Sequence, residues 1–112
     1  MLTVTRRDDK VFTFYFYDED GNAVNLTGCV LYTTVKQYTS DTDASAKIAS
    51  TLTIATPASS GVASWTLVPA DTQYLSGQYF WDVQLKDSSG KITTLIRDIF
   101  EVVEDVTIRT SV

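Results

Sequence analysis

GQYFWDVQLK, residues 77–86, sets Tyr79, Trp81, Val83 and Leu85 against Gln78, Asp82, Gln84 and Lys86, with Phe80 among the polar set. Successive side chains of a pleated strand point to opposite faces, so this period of two gives one apolar face and one wetter one. Downstream, Asp87-Ser88-Ser89-Gly90-Lys91 supplies hairpin chemistry and leads into a strand from Ile92 to about Val103. There the alternation blurs: Ile96, Phe100 and Val102 share one face and Ile99 and Val103 the other, with Asp98 between them. A bulge or a second buried face is the physical reading of such a pattern.

Upstream, Pro69-Ala70-Asp71-Thr72 reads as a turn into a short helical or 3-10 crossing, with Leu75 plugging the end of the core before Gly77 restarts the strand. Ala63, Trp65 and Leu67 mark an earlier strand, and Ile48, Leu52 and Ile54 another, closed by Pro57 and the small residues 58–61. From Gly28 to Lys36, Cys29, Leu31, Thr33 and Val35 share a face while Tyr32, Thr34 and Lys36 share the other, and Lys36 marks the wet one. From Lys10 to Tyr17, Phe12, Phe14 and Phe16 point to the core; a short strand with Leu2 and Val4 precedes them. DEDGN, residues 18–22, offers the positive φ of a tight reversal, and the polar stretch Tyr38 to Ala46 is expected to be an exposed, mobile loop.

Seven strand candidates in 112 residues, with no sustained 3.6-residue stripe, predict one all-β domain over residues 1–112, an antiparallel β-sandwich of about seven strands. A small barrel fits the same spacing. A hydrophobic content of 44% is enough for a two-layer core. The net charge of −5 opposes nucleic-acid binding, which requires clustered Lys and Arg. No apolar run is long enough to span a bilayer, and MLTVTRRDD lacks the apolar stretch of a secretory signal, so synthesis and residence in a cytosol are expected. The lone Cys29 has no internal disulfide partner and reads as a core residue.

The chain contains no histidine, which removes the usual general base near neutral pH, the Ser-His and Cys-His nucleophiles and most zinc sites. Asp18, Glu19 and Asp20 cluster at an exposed hairpin tip with no obvious cleft for a catalytic carboxylate pair, and DEDGN lacks the ligand spacing of a calcium loop. The expectation is a protein with no catalytic residues, no metal and no cofactor. Tyr15, Tyr17 and Tyr32 fall on the solvent faces of what read as neighbouring strands, and Phe80, Ile99 and Val103 are apolar on a nominally wet face. Several exposed apolar side chains together predict a covered surface, and these six residues are the candidate interface.

The succession DEDGNAVNLTGCVLYTTVK, GVASWTL, PADTQYLSGQYFWDVQLKD and FEVVEDVT resembles the immunoglobulin-like N-terminal domains of the baseplate upper proteins of tailed bacteriophages. Their pattern is a D-x-D-G turn, an L-T-G strand and a G-x-Y strand before another hairpin, and the likeness covers nearly the whole chain. The resemblance implies an immunoglobulin-like sandwich without the disulfide, serving as a structural or assembly module of a phage or prophage particle in tail, baseplate or head surface. Its partners would be other virion proteins and copies of itself, and it would assemble in the bacterial cytoplasm. In that family the domain is often followed by helical or receptor-binding segments, whereas this sequence ends at Val112, which fits a fragment or a small stand-alone virion protein. The alternative is an adhesion module for carbohydrate or a host-surface glycan, with Trp65, Trp81 or the tyrosines as stacking platforms.

Overall fold

A computed structural model describes residues 1–106. Its strands are β1 (Leu2–Thr5), β2 (Lys10–Tyr15), β3 (Val30–Lys36), β4 (Ile48–Thr51), β5 (Thr53–Ile54), β6 (Val62–Leu67), β7 (Gly77–Lys86) and β8 (Ile92–Val103), with one helical turn, α1 (Pro69–Thr72), before β7. They form two sheets, one of five strands in the order β1-β8-β7-β3-β4 and one of three in the order β2-β6-β5. All neighbours are antiparallel except β1 and β8. The fold is therefore all-β and sandwich-like.

The apolar alternation of each strand meets in the space between the sheets. Leu31, Thr33 and Val35 of β3, Val83 of β7 and Phe100 of β8 are fully buried, and Trp65 and Leu67 of β6 close on them from the smaller sheet. Trp65 and Trp81 stack at 6.0 Å between centroids and 6° between planes, joining the two sheets through one aromatic pair. The Trp81 indole N–H donates to Thr33 Oγ1 at 2.7 Å, and the Thr33 hydroxyl lies 3.3 Å from the Asp82 carbonyl. Each of these polar groups is thereby satisfied inside the core.

The region from Ile48 to Ile54, expected as one strand, breaks at Leu52. Its first part pairs with β3 in the large sheet and its last two residues pair with β6 in the small one. Leu52 is buried at the crossing, and its N–H donates to the Leu31 carbonyl at 2.9 Å. The irregularity expected in the last strand is a register shift: Val83 faces Ile96 but Gln84 faces Thr94, leaving Leu95 as the extra residue of a bulge.

The turns are as the composition requires. Gly21 takes φ +82°, and the Asp18 carboxylate accepts the N–H groups of Asp20 and Asn22 at 2.9 Å each. The Tyr38–Ala46 loop is exposed but carries a 3-10 turn at Asp43–Ser45, tied down by a 2.8 Å ion pair from Lys36 to Asp43. Leu75 is buried beyond α1 as the sequence suggests.

Three residues differ from the sequence reading. Phe12 and Phe14 face inward with Phe16 but only Phe16 is buried, because among the described residues β2 has no neighbouring strand on its outer side. Cys29 is half-buried and precedes β3, where the Thr27-Gly28 turn lifts the chain off the core.

Candidate functional site

Side chains on the outer face of the five-stranded sheet form a grid, because residues directly opposite in register share a face. Across β3, β7 and β8 the rows are Lys36–Phe80–Ile99, Thr34–Asp82–Arg97, Tyr32–Gln84–Thr94 and Val30–Lys86–Ile92. Ala49 and Thr51 of β4 extend the middle two rows at one edge. The twist of the sheet and the β3–β4 loop, through Thr39 and Asp43, hollow this face into an open groove of about 1050 Å³.

Four of the six candidate residues lie on this outer face, Tyr32 and Phe80 of them lining the groove. Phe80 and Ile99 are register partners, with Phe80 44% exposed and Ile99 half-buried against it. Val103 continues the Ile99 face two rows along β8, beside Thr5 of β1, and Tyr32 lies in the third row across Asp82. Phe80 and Ile99 are adjacent, whereas Glu101 stands between Ile99 and Val103 and the Thr34–Asp82 row between Phe80 and Tyr32. Val30 and Ile92, which flank Lys86 on the same face and are both exposed, belong to this surface and were not among the expected residues. Ile92 opens its strand next to a turn, where alternation carries little weight.

Tyr15 and Tyr17 do not join them. Tyr15 belongs to β2 in the other sheet, and Tyr17 continues from it into a bridge with Ala23, so both stand on the opposite side of the molecule from Tyr32. Trp65 and Trp81 are 1% and 3% exposed, which takes both out of any stacking platform for a sugar.

Charge in the groove is mixed. Burial pushes the Asp82 carboxyl up from its ordinary value, and Asp43 adds to this, against the pull of Lys36 and Arg97. At one end of the sheet, where β1 leaves β8, the Asp105 carboxylate accepts from Arg6 Nε at 2.8 Å and from Arg7 Nη1 at 2.9 and 3.1 Å. Arg7 has a φ of +66° there, and its N–H donates to the buried Thr72 hydroxyl at 2.8 Å, so this corner is a structural clamp on the β1–β2 turn.

Among the described residues no group of three His, Cys, Asp or Glu side chains is disposed to hold a metal ion, and no helix is long and apolar enough to cross a membrane. The grid offers apolar contact, hydrogen-bond donors and acceptors, and paired charge, which is the chemistry of recognition. No family model matches the chain, and no curated protein matches it.

Proposed function

We propose that this chain is an immunoglobulin-like, non-catalytic structural module of a tailed-phage or prophage particle, docking on other virion proteins through the outer face of its five-stranded sheet. Strands B, E and D of an immunoglobulin domain share one sheet and C, F and G the other. In chain order β2, β6 and β5 correspond to the first set and β3, β7 and β8 to the second. Phe14 on β2 and Trp81 on β7, 5.7 Å apart between centroids, fill the inter-sheet position that a B–F disulfide bridges in secreted domains. Tyr79, two residues before Trp81, donates its hydroxyl to the Ser76 carbonyl at 3.0 Å, in the manner of the tyrosine corner of that fold.

The observation that carries the docking reading is the Phe80–Ile99 pair, with Tyr32, Val103, Val30 and Ile92 also apolar on the same face among polar and charged side chains. Several exposed apolar side chains gathered on one face among polar groups suit a protein interface. The test is incorporation into particles purified from the host that carries this gene, read by quantitative mass spectrometry. The wild-type chain is expected at fixed stoichiometry, a Phe80→Glu/Ile99→Glu variant with wild-type circular dichroism is expected to be lost, and Tyr15→Glu on the opposite sheet to be retained. Particles without the chain, or with the double variant at wild-type level, would refute the reading.

A further inference from the structure

Four strands lie at sheet edges, and they are not alike. β1 and β4 have four residues each and β5 has two, whereas β2 has six, Lys10 to Tyr15. Proteins blunt their edges with short strands, charges, prolines or bulges. β2 carries one charge, Lys10, at its very start, and its remaining residues are Val11, Phe12, Thr13, Phe14 and Tyr15.

The hydrogen bonding shows which groups are open. The register of β2 on β6 continues to Phe16, whose N–H donates to the Gly61 carbonyl at 2.8 Å. Backbone groups alternate direction along an antiparallel strand, so Phe12 and Phe14 also point to β6, and the N–H and C=O groups of Val11, Thr13 and Tyr15 point away from it. Among the described residues none of these three makes a backbone or side-chain hydrogen bond on that side. Val11 and Tyr15 are 56% and 63% exposed, and the inward-facing Phe12 and Phe14 are only half-buried along the same open flank.

We propose that two copies of this chain pair antiparallel through β2, joining their three-stranded sheets into one continuous sheet. The strand is self-complementary, which argues for a second copy as the occupant, and parity fixes the register. Opposed residues must share a face, so pairing of β2 with itself must centre on a residue, and a centre at Thr13 brings the greatest number of open groups together. Thr13 then faces Thr13 of the second copy, and Val11 faces Tyr15 twice, each pair exchanging two backbone hydrogen bonds. On the inner face Phe12 meets Phe14 of the other copy, covering the flank that the single chain leaves open. Aromatic–aromatic and aromatic–β-branched pairs are favourable cross-strand combinations. Lys10 falls opposite Phe16, so no like charges meet within the strand. The interface is isologous and closes at two copies. It lies on the opposite sheet from the docking face and does not depend on that reading.

Light scattering and sedimentation over a wide concentration range should show a monomer–dimer equilibrium. Thr13→Lys, at an exposed position, puts two ammonium groups face to face on the two-fold axis and should weaken the dimer at least tenfold without changing the circular dichroism. In a Cys29→Ser background, mild oxidation should link Thr13→Cys into a disulfide dimer, while Val11→Cys, which faces Tyr15, should stay unlinked. A wild-type chain that remains monomeric at millimolar concentration would overturn the proposal. So would a Thr13→Lys variant as dimeric as wild type, or equal cross-linking at positions 11 and 13.

Discussion

The three inner strands of the five-stranded sheet, β8, β7 and β3, bring Phe100, Val83, Leu31 and Val35 to complete burial, while the three-stranded sheet leaves Phe12, Phe14 and Ile54 half-covered. Both sheets alternate correctly, so side-chain pattern does not explain the difference. Flanking does. A strand with a neighbour on each side has its inward residues enclosed laterally as well as from the facing sheet, whereas among the described residues β2 pairs with β6 alone and β5 is two residues long. The small sheet is anchored by its middle strand, where Trp65 touches Trp81, Phe12 and Phe100 at 5.4–6.0 Å between centroids.

The largest expected effect follows from that contrast. Trp65→Ala empties a site enclosed on all sides and should cost about 3–5 kcal/mol, leaving a domain of ordinary stability close to unfolding at room temperature. Phe12→Ala, on the open strand, should cost roughly half as much, because part of the ring is already in water. Urea midpoints of the two variants check this. An equal loss at both positions would mean that the edge is as well enclosed as the centre and would break the comparison.

Paired threonines sharpen it. Thr33 on β3 is fully buried with the Trp81 indole N–H on its hydroxyl, and Thr33→Val keeps the shape but strands that donor, for an expected loss of about 1–3 kcal/mol. Thr13→Val on β2 touches nothing buried and should change monomer stability by no more than about 0.5 kcal/mol. Denaturant unfolding at low protein concentration, where β2 pairing between copies is absent, measures both.

How much of this was legible in the sequence depends on what period two encodes. It reports the face on which a side chain lies, so the inward sets Leu31/Thr33/Val35 and Tyr79/Trp81/Val83/Leu85 could be read directly, as could the turns at DEDGN and DSSGK. It does not report the sheet. Tyr15 and Tyr32 were both correctly outward, but the chain crosses from one sheet to the other between them, so they face away from each other. The break at Leu52 is silent for the same reason. Ile48, Leu52 and Ile54 stay on the inner face when the strand changes sheets, and the period-two spacing of Leu52 and Ile54 runs through the crossing without a mark. Phe80 and Ile99 were legible as outward apolar residues because they break the alternation of their strands, but that they are partners, like the grid of charges around Asp82, needed the register.

The smallest effect concerns two carboxylates whose surroundings act in opposite directions. Burial alone would raise the Asp105 carboxyl, but hydrogen bonds from Arg6 and Arg7 outweigh it and hold the group below its ordinary value of 3.8. The folded chain therefore releases that proton more readily than the unfolded one. Asp105 stabilises the fold fully above the ordinary carboxylate range, and this contribution is lost as pH falls through the lowered value. At Asp82 burial dominates and the carboxyl is raised, so any stabilisation it gives is present below 3.8 and is lost as pH rises through the raised value. Asp105→Asn should lower the urea midpoint at neutral pH, and Asp82→Asn should raise it. Both differences should shrink on acidification and disappear once the carboxylates of folded and unfolded chains are protonated. The Asp82 difference will be the smaller, since Lys36 and Arg97 offset part of the burial and the groove is open to solvent on one side. Its sign is still decisive for the outer face. An Asp82→Asn variant less stable than wild type at neutral pH would mean that the cations govern the middle of the grid, making Asp82 a structural ion-pair residue instead of a partly desolvated group lining the open groove.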